Sequence, residues 1–221
     1  MDALAMTVVA ETAPRMQRQA LIEFFYAHIK PKPSLGATLT VSTLVGDQNQ
    51  GQCTERFVQV KGFRTFSLSF HLPFFALREH HKVKVDRRTR PNGEPLRRSW
   101  ALDDTAGSPP SIQSGGALRK CLYEAQAAVV LVGIDDRVWT AYCAVDTYFD
   151  PFSPASVPSH HNEFKQTGLL WDPVSGRTRQ LHDPCWDART YFLASLDAHL
   201  DNALREWDLV TVAMQEAINK S

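Results

Sequence analysis

Residues 124–149 read EAQAAVVLVGIDDRVWTAYCAVDTYF, and this stretch has the clearest core pattern of the chain. Its first arm, residues 124–134, is almost entirely apolar, which is typical of a strand buried on both faces. Asp135 and Asp136 then interrupt the pattern before a second, alternating arm. Two such runs around a short polar break are typical of a β-hairpin. The sequence therefore predicts a central hairpin over about 125–149.

Segments upstream of this hairpin predict further strands. In residues 63–70, FRTFSLSF, apolar and polar positions alternate, which indicates one buried and one solvated face. Residues 35–45, LGATLTVSTLV, show a similar alternation, and residues 46–51 have the composition of a turn. The next segment, HLPFFALREH at 71–80, is apolar but contains Pro73, so its type stays open.

Two helices are predicted, one near each end of the chain. Pro14 suits the first turn of a helix over about 14–29, and Pro31 ends it because proline offers no amide hydrogen. Asp187 suits the N-cap of a last helix that runs to about residue 219. Along that helix, apolar residues recur at alternating steps of three and four, as in a heptad seam. The helix can fold back onto the domain or project and pair with another chain, and both interpretations stay open.

These elements together predict an α+β fold. It has a mixed, mainly antiparallel sheet with the central hairpin, an N-terminal helix and a long C-terminal amphipathic helix. The predicted organisation is one globular domain over 1–186, followed by the heptad-patterned helix over 187–221. Long loops are expected at 82–116 and 150–185, and loops of this length tend to be functional or disordered.

The composition is that of a globular chain with no strong overall charge. Apolar residues make up 43% of the sequence, and Lys plus Arg equals Asp plus Glu at 24 each. This balance gives no long-range attraction for nucleic acid or an anionic membrane. No window reaches the roughly 20 apolar residues of a membrane helix, and the N-terminus lacks a basic leader. The four cysteines include no CxxC pair, so we expect a soluble cytoplasmic protein with reduced thiols.

Acidic and histidine residues after the hairpin are the candidates for an enzymatic site. Asp146 and Asp150, with His160 and His161 downstream, could line a pocket beside the long loops. An aspartate within an apolar strand is costly unless it is paired. The favoured interpretation of Asp146 is therefore a structural ion pair with an arginine of residues 87–98.

The other residues with reactive or metal-binding side chains have a structural interpretation. Cys143 lies in an apolar arm that supplies neither a base nor exposure, so it is predicted to be core. Two groups in the second loop have the side chains of metal ligands, but a zinc site needs about four converging ligands and neither group has a known spacing. No metal and no cofactor are therefore predicted. The two groups are His160, His161 and Glu163, and His182 with Cys185.

The segment from Lys82 to Arg98 is the most basic part of the chain, with seven Lys or Arg against two acids. Such a segment can contact phosphates. It lacks the interleaved aromatic residues of single-strand binders and follows no helix-turn-helix pattern, so we do not expect nucleic acid as a partner. The candidate polyanion contacts are Arg87, Arg88, Arg97 and Arg98.

Four segments, taken in order, resemble uncharacterised filamentous-fungal proteins that are often labelled CorA-like magnesium-transporter proteins. They are FSLSFHLPFFALREH, NGEPLRRS, LYEAQAAVVLVGIDDRVWTAYCAVDTYFD and WDARTYFLASLDAHLDNALREWDLV. In the longer relatives, the counterpart of the helix beginning near Tyr191 leads into a coiled coil, and membrane helices follow. The resemblance implies that this chain corresponds to their soluble N-terminal region. The Gly-Met-Asn pore motif that transport requires does not occur in it.

We therefore expect a non-enzymatic interaction or regulatory module that pairs through its C-terminal helix, with itself or with a larger relative. The alternatives are a small accessory enzyme of fungal metabolism with an acidic site near Asp146, and a weak polyanion binder that uses residues 82–98. The predicted association seam consists of Leu193, Leu196, Leu200, Trp207, Val210 and Met214.

Overall fold

The computed structural model describes residues 3–29, 38–42, 59–60, 63–64, 66–102, 118–133, 137–150, 172, 174 and 185–220. Within these ranges the chain forms three helices and seven strands. The helices are α1 (Ala3–Thr12), α2 (Arg15–Ile29) and α3 (Ala188–Lys220). The strands are β1 (Thr38–Ser42), β2 (Gln59–Val60), β3 (Phe63–Arg64), β4 (Phe66–His80), β5 (Ser99–Leu102), β6 (Arg119–Gly133) and β7 (Trp139–Val145).

Five of the strands form one antiparallel sheet in the order β1-β4-β6-β5, with β7 also paired to β6. β4 pairs with β6 over its full length, from Phe66↔Gly133 to His80↔Arg119. β5 and β7 occupy successive parts of the other edge of β6. The predicted central hairpin is confirmed as β6 and β7, and β2 and β3 form a separate two-stranded sheet.

Helices cover both faces of the sheet. Successive residues of β6 point to opposite faces. Val130 packs in one core cluster with Phe24 of α2, and Val129 packs in another with Phe192 of α3. β6 is therefore buried on both faces, which explains why its sequence is a continuous apolar run. The predicted α+β class is confirmed.

Helix α3 lies along β4 and runs in the same direction. The rings of Phe192 and Phe70 are 5.6 Å apart near the start of the helix, and those of Trp207 and Phe75 are 5.5 Å apart further on. Near its end, Glu216 accepts a hydrogen bond from Lys120 over 2.9 Å. Of the two interpretations of this helix, packing against the domain is therefore observed along its length.

Two elements differ from the predictions. Residues 3–12 form α1, which no sequence pattern predicted, and its Met6 and Ala10 are buried in the core cluster that contains residues of α2 and of the sheet. The segment at 71–80, whose type was open, continues β4 through Pro73. The described ladder between β1 and β4 covers Ser67 to His71, so Pro73 lies outside it. A proline is tolerated in a strand where its nitrogen is not needed as a ladder donor.

The loop predicted at 82–116 is interrupted by a strand, while residues 82–98 contain no helix or longer strand. Residues 99–102 form β5, and Thr89 bridges to Pro95 around a turn that contains Gly93 at φ +82°. Glycine suits this turn because a side chain is strained at a positive φ. Residues 103–117, the turns predicted at 46–51 and at Asp135-Asp136, and most of the loop predicted at 150–185 lie outside the described residues.

Candidate functional site

Asp146, directly after β7, lies at the centre of a buried cluster of charged side chains and is 3% exposed. Its Oδ1 accepts hydrogen bonds from Nη2 of Arg88 over 2.7 Å and from Nε2 of His28 over 3.3 Å. Its Oδ2 accepts from Nε of Arg97 over 2.7 Å and from the backbone amide of Gln126 over 3.0 Å. Both carboxylate oxygens are therefore fully engaged.

The two arginines make further contacts that fix them in place. Arg88 also donates from Nη2 to Oδ2 of Asp86 over 2.7 Å, so it bridges two buried carboxylates. Arg97 donates from Nη2 to the backbone carbonyl of His28 over 2.7 Å and to Oε1 of Gln126 over 3.0 Å. The predicted ion pair between Asp146 and an arginine of residues 87–98 is confirmed, with two arginines instead of one.

These contacts correct the predicted polyanion surface. The side chain of Arg97 is 4% exposed and that of Arg88 is 16% exposed, and each is bound to Asp146. Neither guanidinium can face a phosphate backbone, so the prediction is wrong for these two residues. Only Arg87 and Arg98 of the four are exposed. The number of basic residues in the sequence does not show which arginines are paired with a carboxylate and which are exposed.

The electrostatics of the cluster exclude Asp146 as a proton donor or acceptor. Burial by itself raises the pKa of Asp146. The hydrogen bond from His28 and the positive charges of Arg97 and Arg88 outweigh burial and hold that pKa well below its ordinary value. A general acid or base needs a pKa near the working pH and access to its substrate. Asp146 has neither, so its cluster is structural, joining α2, residues 86–97, β6 and the end of β7.

Asp150 belongs to a different group of charges. Its Oδ1 is 3.5 Å from Nε of Arg78, whose guanidinium binds both carboxylate oxygens of Glu206 over 2.6 and 2.8 Å. This group ties β4 to α3 and is partly exposed. The predicted acidic pair therefore does not share one set of partners. His160 and His161, like Glu163 and His182, lie outside the described residues.

A second polar group lies between β7 and α3, where Sγ of Cys143 is 4.0 Å from Nε2 of His199. The same nitrogen donates to the carbonyl of Val174 over 3.0 Å, so it cannot accept the thiol proton. Asp172 accepts a hydrogen bond from Tyr191. Burial and, to a smaller extent, the charge of Asp172 together raise the pKa of the Cys143 thiol to about 12. Cys143 packs against the core as predicted, and the described residues supply no activating base for it.

Among the described elements, α3 exposes the largest number of large apolar side chains on its outer side. Leu193, Leu200, Trp207 and Met214 follow each other at intervals of seven residues and are 61%, 41%, 37% and 57% exposed. Leu204, four residues after Leu200, lies on the same side of the helix and is 60% exposed. These five residues are called the apolar row below.

The apolar row contains only part of the predicted association seam. Val210 is 3% exposed, and Leu196 packs against the core between the sheet and the start of α3. These positions lie three residues after members of the row, which rotates them by about 60° toward the sheet. The prediction is therefore wrong for Val210 and partly wrong for Leu196. Leu204 was missed because it lies one residue away from the seam that was counted.

Aromatic residues extend the apolar row onto the sheet. The rings of Trp207 and Phe75 are edge to face, at 5.5 Å and 84°. Phe75 makes a similar contact with Trp100 of β5 at 6.0 Å and 65°. Trp100 is 39% exposed, so the exposed apolar surface is wider than one helix.

Three aspartates border the row on the side away from the sheet. They are Asp201 and Asp208 at the edge and Asp197, which lies nearest to the line of Leu204; all three are exposed and without an ion pair in the described part of the chain. A surface of this kind does not favour an anionic membrane or a polyanion, because both would be repelled. Such a surface suits a partner whose own contact surface is apolar at its centre.

The described residues contain neither a metal-binding cluster nor a membrane-spanning helix. Among residues 3–29, 66–102, 118–133, 137–150 and the remaining described positions, no three His, Cys, Asp or Glu side chains come together as a metal site. None of the described helices combines the length and apolar character needed to cross a bilayer. Comparison with models of protein families, with curated proteins and with solved structures finds no match.

Proposed function

We propose that this protein is a non-enzymatic interaction module that self-associates through the apolar row of α3. One observation carries the proposal: Leu193, Leu200, Trp207 and Met214 are exposed at seven-residue spacing. Side chains at this spacing stay on one face of a helix and meet those of a second helix lying alongside. Single exposed apolar residues are common, but a continuous row of them marks an interaction surface.

The size of the surface agrees with a small interface between two copies. A helix of 33 residues is about 50 Å long and about 10–12 Å across, so a second helix along it covers on the order of 500 Å². Trp100 is 39% exposed, so it adds about two fifths of the roughly 150–250 Å² that an aromatic side chain can bury. The total, on the order of 600 Å², is below the about 800 Å² that each partner buries in a standard interface and matches a smaller interface.

The resemblance to fungal CorA-like proteins supports the same proposal, because it predicts that the corresponding helix leads into a coiled coil. The three described cysteines, Cys121, Cys143 and Cys185, are free thiols. Free thiols agree with the reducing cytoplasm that we propose as the location of the protein. The alternatives have less support, because Asp146 is structurally engaged and two of the four candidate arginines are paired.

The proposal is tested by the mass of the full chain in solution, measured by light scattering and sedimentation over a range of concentrations. We expect a dimer for the wild type and a monomer for Leu200→Glu and Met214→Glu. The matched control is Leu209→Glu. Leu209 is 53% exposed on the same helix but lies about half a turn away from Leu200, and its variant should stay dimeric.

The folded state of each variant is checked by circular dichroism and thermal unfolding. A truncation before α3 cannot replace these variants, because Tyr191 and Phe192 are part of the core. A wild type that stays monomeric at the highest concentration reached would overturn the proposal. Equal loss of the dimer in Leu200→Glu and Leu209→Glu would do the same.

A further inference from the structure

We infer that the two copies pair with their α3 helices antiparallel, with Leu193 of one copy beside Met214 of the other. The inference rests on the proposed self-association and specifies its geometry. In this arrangement Leu200 of each copy meets Trp207 of the other, and Leu204 meets its own counterpart at the two-fold axis. All five members of the apolar row then have an apolar partner.

The position of Asp197 decides between the two orientations. Asp197 is seven residues before Leu204 and Thr211 is seven residues after it, so all three lie along the same line of the helix. In a parallel pair in register, each Asp197 lies opposite its own counterpart, on the line of Leu204 within the contact. Two carboxylates excluded from water without a cation weaken binding by about 100-fold or more.

The antiparallel arrangement removes this conflict. Asp197 then lies at the level of Thr211 of the other copy, whose hydroxyl is a hydrogen-bond donor. Within its own chain, Oγ1 of Thr211 donates to the carbonyl of Trp207 over 2.9 Å. Rotation of that hydroxyl toward a carboxylate requires the loss of only one local bond. The contact is then apolar except for this pair at each end of the line of Leu204.

Antiparallel pairing brings some like charges together at the edge of the contact, but the resulting repulsion is small. Asp201 and Asp208 lie on the same side of the row, and Asp201 of one copy comes within two residues, about 3 Å along the axis, of Asp208 of the other. Both side chains are exposed, so each such contact weakens binding by only about twofold and is screened by salt. Arg205, also on α3, lies beyond these aspartates at the same level and offsets part of the repulsion.

The side of α3 next to the sheet favours the same orientation. In an antiparallel symmetric pair, equivalent sides of the two helices face each other. The Trp207, Phe75 and Trp100 rings of both copies then lie on one side of the pair, and the acidic edges lie on the other. This places aromatic surface beside aromatic surface. In a parallel pair, the acidic edge of each copy would face the aromatic edge of the other.

Cysteine cross-linking of the full chain tests the orientation, with a short bismaleimide as the reagent. An equimolar mixture of Leu193→Cys and Met214→Cys proteins should give cross-linked dimers, and Leu193→Cys alone should not. In the antiparallel pair, the two copies of residue 193 are separated by about 32 Å along the helix axis. The unsubstituted protein, with its native cysteines, is the background control.

Leu204→Cys separates failure of the orientation from failure of the proposed function. Residue 204 lies beside its counterpart in either orientation, so this variant should cross-link whenever the row is the contact. Cross-linking of Leu193→Cys with itself would overturn the antiparallel arrangement and leave self-association intact. Absence of cross-linking in Leu204→Cys would overturn both. As a second measurement, salt should tighten the wild-type dimer by about two- to fivefold.

Discussion

Arg97 and Asp146, which are 49 positions apart in the chain, form a salt bridge of 2.7 Å between Nε and Oδ2. The two side chains are 4% and 1% exposed, so the bond is sealed from water. It fixes the segment before β5 against the end of β7. β5 carries Trp100, so the same bond helps to place the aromatic edge of the proposed interface.

Asp146→Asn should destabilise the protein strongly. Arg88 keeps its bond to Asp86, but Arg97 is left as a buried cation without a carboxylate. Removal of one partner of a buried ion pair costs about 3–5 kcal/mol. The measurement is urea unfolding at neutral pH, with Asp150→Asn as the control, because that side chain is 36% exposed and its loss should cost less than about 1 kcal/mol. A cost for Asp146→Asn no larger than the control would contradict the structural role of the cluster.

The contribution of Asp146 should disappear at acidic pH. Its pKa in the folded protein lies below the value of about 3.9 in an unfolded chain, so the folded state binds fewer protons there. The stabilisation is therefore fully present above about pH 4 and is lost as the pH falls through the folded pKa. The difference in unfolding free energy between wild type and Asp146→Asn should stay constant from pH 7 to 5 and shrink below pH 4. A difference that is the same at every pH would refute this linkage.

The sequence predicted the parts of the fold that local pattern determines. The hairpin of β6 and β7, helix α2 and the Asp187 cap of α3 follow from apolar spacing, proline positions and a capping residue. The amide of Thr190 donates to Oδ2 of Asp187 over 2.6 Å. The pairing of Asp146 with an arginine also followed, because a buried charge in a strand needs a counter-ion.

The predictions that were wrong concern features that depend on contacts between distant segments of the chain. A heptad pattern on α3 showed that the helix is amphipathic, but the sheet decides which of its two apolar lines is buried. For this reason Val210 is buried in the core, whereas Leu204 is exposed at the surface. His28 was also missed, although it follows Leu21 and Phe25 at helical spacing on the apolar face of α2. A titratable residue at such a position is the signal that could have found it.

Cys143 should be unreactive toward iodoacetamide in the folded protein. With a pKa of about 12, only about one thiol in 10⁴ is ionised at pH 8, and the thiolate is the reactive form. We expect modification to be at least about 100-fold slower than in urea-unfolded protein, measured by mass spectrometry of the peptide that contains Cys143. The unfolded protein is the control for intrinsic reactivity. Fast modification in the native state would show that the thiol is activated and would restore an enzymatic interpretation.

Gly133→Ala should destabilise the protein through a clash inside the sheet. Gly133 is opposite Phe66 in the ladder of β4 and β6, and a Cβ at this position would overlap the Phe66 ring. Overpacking of a core costs about 1–3 kcal/mol, and Phe66→Leu in the same chain should recover part of it. Gly93→Ala is the control: its φ of +82° strains any side chain, but no atom lies within 4 Å of the added Cβ. The free energies of unfolding of the single and double variants are measured in urea. We expect the effects of Phe66→Leu and Gly133→Ala to be coupled, and those of Phe66→Leu and Gly93→Ala to be additive. Additive effects in both pairs would mean that the Phe66 ring moves aside freely.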